Sequence, residues 1–500
     1  VFLDRGLLQQ AATQRLQPSR LKLLLGAAFL LVVAALLTRR INHDEGQYVA
    51  AIALTRHGLP YRDFAYLQTP LQPLLLAPLA LVPAGWLLVA ARAVNGLFAW
   101  ASLALVALAL EGRARRPAQL IAVAALACTD AFLLAGSLAR NDALPMMLLA
   151  GAVAALMHAL GRAGHTKWFA LAGLLLGLAA SAKISFAFPA AGAALFVLLR
   201  SRQLGWRTVA AFVGSGLAGL LPTIVLALLA PANFAFDVFT YALHAPQQWW
   251  SSVGRGYWLE PSWRLIRLIG FAAKGSILVA LGASLLDRRA RDDHRLLLDL
   301  MIVGGLLAAY LPDPAFTQYL VPLLPPLFTR FGMALSRASL RTAKPLLALT
   351  LAGCVLGVIP TIRSTLRWWV AGPDLFDALD QGRAVAAIAK GGRIVTLAPE
   401  YVAGADTNLD PRFVTGPFLF RTFDGMADQA LAYGKSPGWQ HAGEALDRAP
   451  PFAIVTGNEA KTWPAPFSGS LEAPLIAWAK AHRYRAERLE PFGLIVFVHP

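Results

Sequence analysis

Only two cysteines occur in the chain, Cys128 and Cys354, each inside an apolar run. That scarcity excludes a disulfide framework and a cysteine-based metal site. No GxGxxG follows a predicted strand, so nucleotide binding is not indicated. No basic run carries the interleaved aromatics that track a nucleic-acid strand, and nucleic acid is excluded as a partner. Repeats of solenoid length and low-complexity segments are missing too. Charge is the scarcest commodity: 15% of the 500 residues are charged and 57% apolar, with a mean hydropathy of +0.55. A soluble domain does not need so many uncharged runs, so the chain reads as a membrane protein.

The charge that is present is unevenly placed. The net +17 lies wholly before residue 363, because from 363 onward 14 basic residues face 14 acidic ones. A basic balance confined to the apolar part points to membrane topology and anionic lipid. Runs long enough to cross a bilayer fall near 21–38, 92–110, 117–135, 143–160, 168–182, 184–199, 208–230, 265–286, 296–311, 318–335 and 345–362, about 11 spans in all. The first follows Arg5, Arg15, Arg20 and Lys22 without a small-x-small cleavage site, and is expected to stay as an anchor. With the N-terminus inside, the inner segments are the N-terminal tail, 111–116, 161–167, 200–207, 287–295 and 336–344. They hold four, three, two, three, four and three Lys/Arg residues, which agrees with the positive-inside bias. The loops 39–91 and 231–264, and everything after 363, then lie outside.

The last 138 residues change character. GRIVTLAP (392–399), PFAIVTG (451–457) and GLIVFVHP (493–500) are β-branched runs bounded by Gly or Pro. Helical segments near 375–390, 440–448 and 472–482 alternate with them. The expected fold is therefore mainly α: a polytopic transmembrane helical bundle over 1–362, followed by a soluble α/β domain over 363–500 outside the membrane.

The chain is organised around Ile41 to Pro73, which opens on adjacent carboxylates, Asp44 and Glu45. One reading is a capping box, with Asp44 as N-cap and Gln47 three positions on. The other is a general base that takes a proton from an attacking hydroxyl. Lys183 interrupts the apolar stretch 168–199. It either snorkels from a turn to the headgroups or binds a phosphate. Arg140, Asn141 and Asp142 form a further outer cluster. Asp142 could cap the next helix, where Pro145 fits the first turn, or orient a substrate hydroxyl or Arg140. The loop 231–264 is rich in Tyr and Trp (Tyr241, Trp249, Trp250, Tyr257, Trp258, Trp263), as an interfacial belt is. His43 and His244 read as ordinary polar residues, since a metal site lacks a third ligand.

Taken in order, these motifs resemble the GT-C superfamily of integral-membrane glycosyltransferases, near its protein mannosyltransferase and lipid A aminoarabinose transferase branches. The resemblance covers roughly residues 20–340. It rests on Asp44-Glu45 followed by PLQPLLLAPL at 70–79, on Arg140-Asn141-Asp142-Ala143-Leu144, on the Gly177-to-Lys183 pattern, and on QYLVPLLPPL at 318–327. It implies that Asp44, with Glu45 beside it, is catalytic, and that Lys183 binds the donor phosphate. Where relatives carry Arg before the Tyr of the late motif, this chain has Gln318 before Tyr319. Arg255, Arg264 or Lys274 are candidates to substitute.

The implied reaction is inverting transfer of a hexosyl or pentosyl unit from a polyprenyl-phosphate sugar donor to a hydroxyl of a glycolipid, polysaccharide or protein acceptor. It would run at the outer face of the cytoplasmic membrane, the periplasmic side, within the cell envelope. No cofactor is expected from the resemblance, and no metal, although a divalent cation serves some members. The leading rival is a transporter or lipid flippase without covalent chemistry, against which stands the lack of an inverted repeat. A non-catalytic scaffold that presents the tail to a partner is the third class.

Overall fold

The computed structural model describes residues 5–160, 165–287, 292–371, 374–426, 435–459, 470–490 and 493–500. The chain is mainly helical, with one small sheet. Three helices are long and apolar enough to cross a membrane: Arg20–Thr38, Trp86–Leu110 and Leu340–Val370. The number rises to six if each of three bent pairs is one span. The count of 11 thus stands as an expectation, with three to six spans supported among the described residues. The expected inner segments 161–167 and 287–295 lie partly outside the described residues, at 161–164 and 288–291.

Local chemistry explains the bends. The expected span 117–135 is the pair Arg116–Ala127 and Asp130–Ser137, at 61° to each other. Thr129 caps the second member by accepting from the Phe132 amide at 3.3 Å. The expected span 208–230 breaks by 50° just before Pro222, which sits in the first turn of Leu221–Leu229 and removes a helical donor. The expected span 318–335 opens as a 3₁₀ segment, Thr317–Leu323, with Pro322 inside it.

Small residues let other helices touch. Helix Thr166–Ala182 packs against Trp206–Gly219 so closely that a Cβ on Gly177 would stand 2.1 Å from the carbonyl oxygen of Gly216. Close backbone approach through small residues is how helices associate in lipid. Gly177 opens the motif that ends at Lys183, so its role here is packing that fixes where Lys183 emerges.

The C-terminal region carries all three expected strands and two that the sequence did not signal. The order is β2-β1-β3-β5-β4, with β1 Arg393–Thr396, β2 Asn408–Leu409, β3 Ala453–Thr456, β4 Arg485–Leu489 and β5 Leu494–Val498. β1 pairs in parallel with β2 and β3, while β5 runs antiparallel to β3 and β4. Helices Asp374–Ala389, Ala442–Arg448 and Ala473–Ala481 match the expected segments. Strand β4 is half exposed and charged, which hides its period; β2 is only two residues long.

The loops 39–91 and 231–264 and the C-terminal region share their cores. Val49, Ala50 and Ile52 of helix Asp44–Leu54 belong to one buried cluster with Ile394, Val402, Val455 and Val496. Trp249 and Val253 of the loop 231–264 pack with Val395, Phe413 and Phe420. Burying apolar side chains from both against one another is worth ~25 cal/mol per Å². The sheet region is thereby seated on the stretch that holds Asp44.

Candidate active site

Helix Asp44–Leu54 begins at Asp44 itself, with His43 in the N-cap position and no side-chain cap. The capping-box expectation is corrected: Asp44 accepts from no helix amide, and its own amide donates to Asn42 Oδ1 at 2.8 Å. Its carboxylate instead accepts from the Arg140 guanidinium, and His43 Nε2 lies 3.3 Å from its other oxygen.

Arg140 turns the pair into a chain of alternating charge. Its Nε donates to Asp142 Oδ2 at 3.1 Å, and Lys183 Nζ donates to Asp142 Oδ1 at 2.5 Å. Asp142 sits at the N-cap position of helix Ala143–Ala159 but makes no side-chain cap, because both its oxygens are taken by cations. Lys183 occupies an extended break, φ −155° and ψ 124°, between Thr166–Ala182 and the 3₁₀ turn Ile184–Phe186. The expected turn is there, but the side chain is buried and ion-paired, not snorkelling. Tyr319 joins from its 3₁₀ segment, with Lys183 Nζ 6.0 Å from its ring centre.

Neighbouring side chains hold the network rigid. The Arg140 carbonyl accepts from Gln72 at 3.0 Å and Asn95 at 2.6 Å. Asn141 donates to the Ala182 carbonyl at 3.1 Å, tying the cluster to the residue before Lys183. Exposure separates the members: the side chain of Asp44 is 22% exposed, those of Arg140 and Lys183 6% and 5%, and that of Asp142 0%. Burial alone would raise the Asp44 pKa, but Arg140, His43 and Arg421 outweigh it and hold the carboxyl below its ordinary value. Asp142 behaves likewise: burial raises it, while Lys183 and Arg140 bring it below the ordinary value.

Glu45, expected beside Asp44 in catalysis, is turned the other way. Its side chain is fully buried against Arg92, whose Nε and Nη2 donate at 2.8 and 2.6 Å. The Asn42 and Ala139 amides supply two further bonds, at 2.9 and 2.6 Å. Arg92 also donates to the carbonyls of Leu36, Arg39 and Arg40. Glu45 and Arg92 thus pin the entry to the Asp44 helix and leave Glu45 no oxygen for substrate.

The three substitute cations lie apart from this network. Arg255 stacks over Trp258 at 5.2 Å. Arg264 pairs with Asp313 and donates to the Tyr310 and Leu259 carbonyls. Lys274 is exposed at the 96° break between Pro261–Ala272 and Ile277–Leu286.

A further cation that acts on Asp44, after Arg140, comes from the C-terminal region. Arg421, on helix Pro417–Thr422, lies 4.4 Å from the Trp249 ring centre and 5.1 Å from that of Phe418. It lowers the Asp44 pKa directly. Phe418 in turn packs on His43 at 5.5 Å. Tyr241, which bonds Thr422, is pushed up to about 12 by burial and remains a neutral donor. A π-helical turn, Phe236–Thr240, sets its register; such turns often occur at functional sites. Tyr48, one turn beyond Asp44, is also raised by burial, within the field of Arg140, Asp142 and Asp44. Sequence reasoning missed Arg421, Tyr48 and Arg92. No motif announces them, since each acquires its neighbours only through the fold. Among the described residues no three His, Cys, Asp or Glu side chains converge as metal ligands.

Comparison with known proteins bears on this geometry. The model of glycosyltransferase family 87 matches residues 66–314. No curated protein sequence matches the chain. Among solved structures, ArnT from Cupriavidus metallidurans bound to undecaprenyl phosphate is similar over 95% of this chain and 97% of its own, at 13% identity and a TM-score of 0.59. Its apo state is similar over 97% and 98%, at 13% identity and 0.58. The archaeal oligosaccharyltransferase AglB from Archaeoglobus fulgidus, in complex with an inhibitory peptide and a dolichol-phosphate, covers 87% of this chain and 69% of its own, at 13% identity and 0.49. In sequence, residues 66–314 are similar to glycosyltransferase family 87, and in fold the chain is similar to ArnT.

Proposed function

We propose that the chain transfers a sugar from a polyprenyl-phosphate-linked donor to an acceptor hydroxyl, with Asp44 as the base. The observation that carries this reading is a contrast in exposure. Asp44 is partly open, while its neighbours Glu45 and Asp142 are sealed and fully bonded. A base needs an accessible oxygen within reach of the proton it takes. The undecaprenyl phosphate bound by ArnT supports a lipid-linked donor.

In the resting site Arg140 holds Asp44 too firmly for a good base, because its proton affinity is depressed. A donor phosphate that enters beside Arg140 and Lys183 competes with Asp44 and Asp142 for those cations. The cations then stabilise charge on the departing phosphate, and Asp44, relieved of Arg140, regains proton affinity. The acceptor hydroxyl attacks the sugar carbon from the face opposite the phosphate, the carbon–oxygen bond to phosphate breaks, and Asp44 takes the hydroxyl proton. The sugar carbon inverts. Transfer runs without a metal, the fixed cations carrying the charge. Tyr319, Tyr241 and Arg421 line the approach, and the C-terminal region, reaching the site through Arg421 and Phe418, orients the acceptor. The Asp44 end of the bundle faces outward from the cytoplasmic membrane, a reading that the basic loops at the other end support.

The test is transfer from a synthetic polyprenyl-phosphate sugar by purified Asp44→Asn protein, followed by mass spectrometry of the product. Turnover is expected to fall by ~10²–10⁴-fold in protein that still unfolds cooperatively on heating. Wild-type-like turnover removes Asp44 from its role. Substrate crossing vesicles without covalent product would favour the flippase.

A further inference from the structure

A second cluster of cations stands away from Asp44, where two of the three long apolar helices end. Helix Arg5–Thr38 and helix Leu340–Ala371 meet there, with Thr38 and Thr365 hydroxyls 3.2 Å apart. Beside them is a cavity of about 220 Å³ lined by Arg40, Arg363, Arg367, Trp368 and Asp374 among others. Among the described residues, none of the three arginines forms a salt bridge. The Trp368 Nε1 is buried and without a hydrogen-bond partner.

We propose that this cavity binds the phosphate of an anionic lipid headgroup. Three positive charges face one acid, Asp374, leaving an excess that suits a phosphate. Arg363 and Arg367 are four apart on one helix, a like-charge pair that is unfavourable on its own. An interfacial arginine belt explains such residues one at a time, but not the convergence on one hollow of Arg363 and Arg367 from one helix and Arg40 from just beyond the end of another. Depth agrees. Residues 345–362 separate Lys344 from Arg363 on one helix and rise ~27 Å at 1.5 Å per residue, close to the ~30 Å hydrocarbon core. Arg363 and Arg367 therefore emerge at headgroup level. Arginine forks match phosphate oxygens. The Arg40 carbonyl accepts from Arg92 at 3.3 Å, which couples the backbone of this site to the Glu45 anchor.

The experiment is native mass spectrometry of the full chain released from detergent after exposure to phosphatidylglycerol, to phosphatidylcholine, or to inorganic phosphate. Wild type is expected to retain phosphatidylglycerol selectively. Arg363→Gln/Arg367→Gln should lose that retention about tenfold, two lipid-facing cations being gone. Arg363→Lys/Arg367→Lys, which keeps the charge, should retain most of it and controls for folding. Equal retention of phosphatidylglycerol by wild type and the Gln variant overturns the site. Saturation by inorganic phosphate alone, with both lipids held equally, overturns the lipid assignment.

Discussion

Two networks of alternating charge sit in this molecule, and their difference separates a brace from a site. One joins Asp287, Asp292 and Asp299 to Arg330 and Arg337 of helix Leu324–Arg337. There Arg330, fully buried, donates to Asp287 at 2.8 Å and to Asp299 at 3.2 Å. Arg337 adds Asp287 and Asp292 at 3.3 and 3.2 Å. Its acids Asp299 and Asp292 are about as exposed as surface residues, at 41% and 40%, and Arg330 also donates to the carbonyls of Ser284 and Asp287. Charges there end in water or in backbone. The other network, Asp44–Arg140–Asp142–Lys183, keeps both cations buried and leaves one carboxylate at its mouth. Alternating charge alone is therefore no sign of chemistry; buried cations behind a single reachable carboxylate are what the proposed reaction needs.

The comparison breaks most decisively at Asp44, where the Asn variant should abolish transfer while the fold survives. Next is Lys183→Met. It leaves Asp142 with Arg140 alone in the interior, and removing one partner of a buried pair costs ~3–5 kcal/mol; a denaturation midpoint in detergent reads it. The double variant Asp142→Asn/Lys183→Met should recover much of that stability without recovering transfer, which divides the structural part of the pair from the functional part. Arg330→Met should cost a similar ~3–5 kcal/mol but leave transfer per folded molecule unchanged. A matched loss of turnover would mean that the brace is part of the site. The smallest effect is a pH shift. Arg421 helps hold the Asp44 pKa down, so Arg421→Gln should raise it. The acid limb of kcat/KM against pH then moves to higher pH, and a limb that stays in place removes Arg421 from the electrostatics of the base. The same sign governs stability. A carboxyl with a depressed folded pKa contributes above its unfolded value, ~3.9, and loses that contribution as pH falls through the folded one.

The pieces of the site were legible one by one. Asp44, Arg140, Asp142 and Lys183 are charges in a chain that has few, and an ionisable residue within an apolar sequence calls for a partner. What each was paired with was not legible. Capping and snorkelling suit an isolated Asp or Lys, and only the pairing of Arg140 with Asp44 and Asp142, and of Lys183 with Asp142, excludes them. Glu45 read like its neighbour because adjacent residues share a sequence context. On a helix they point about 100° apart, and Arg92 captured the one that faces inward.

The chain's own order of residues determined the apolar helices, the three β-branched strands of the tail and the ordered motifs of the family, since periodicity and composition act locally. The tertiary structure alone decided which of two adjacent acids stays open, that Arg421 from the tail comes close enough to Asp44 to lower its pKa, and that Arg40, Arg363 and Arg367 share one hollow. The reason is physical: Coulombic attraction and burial depend on distance in space, and these groups are far apart along the chain.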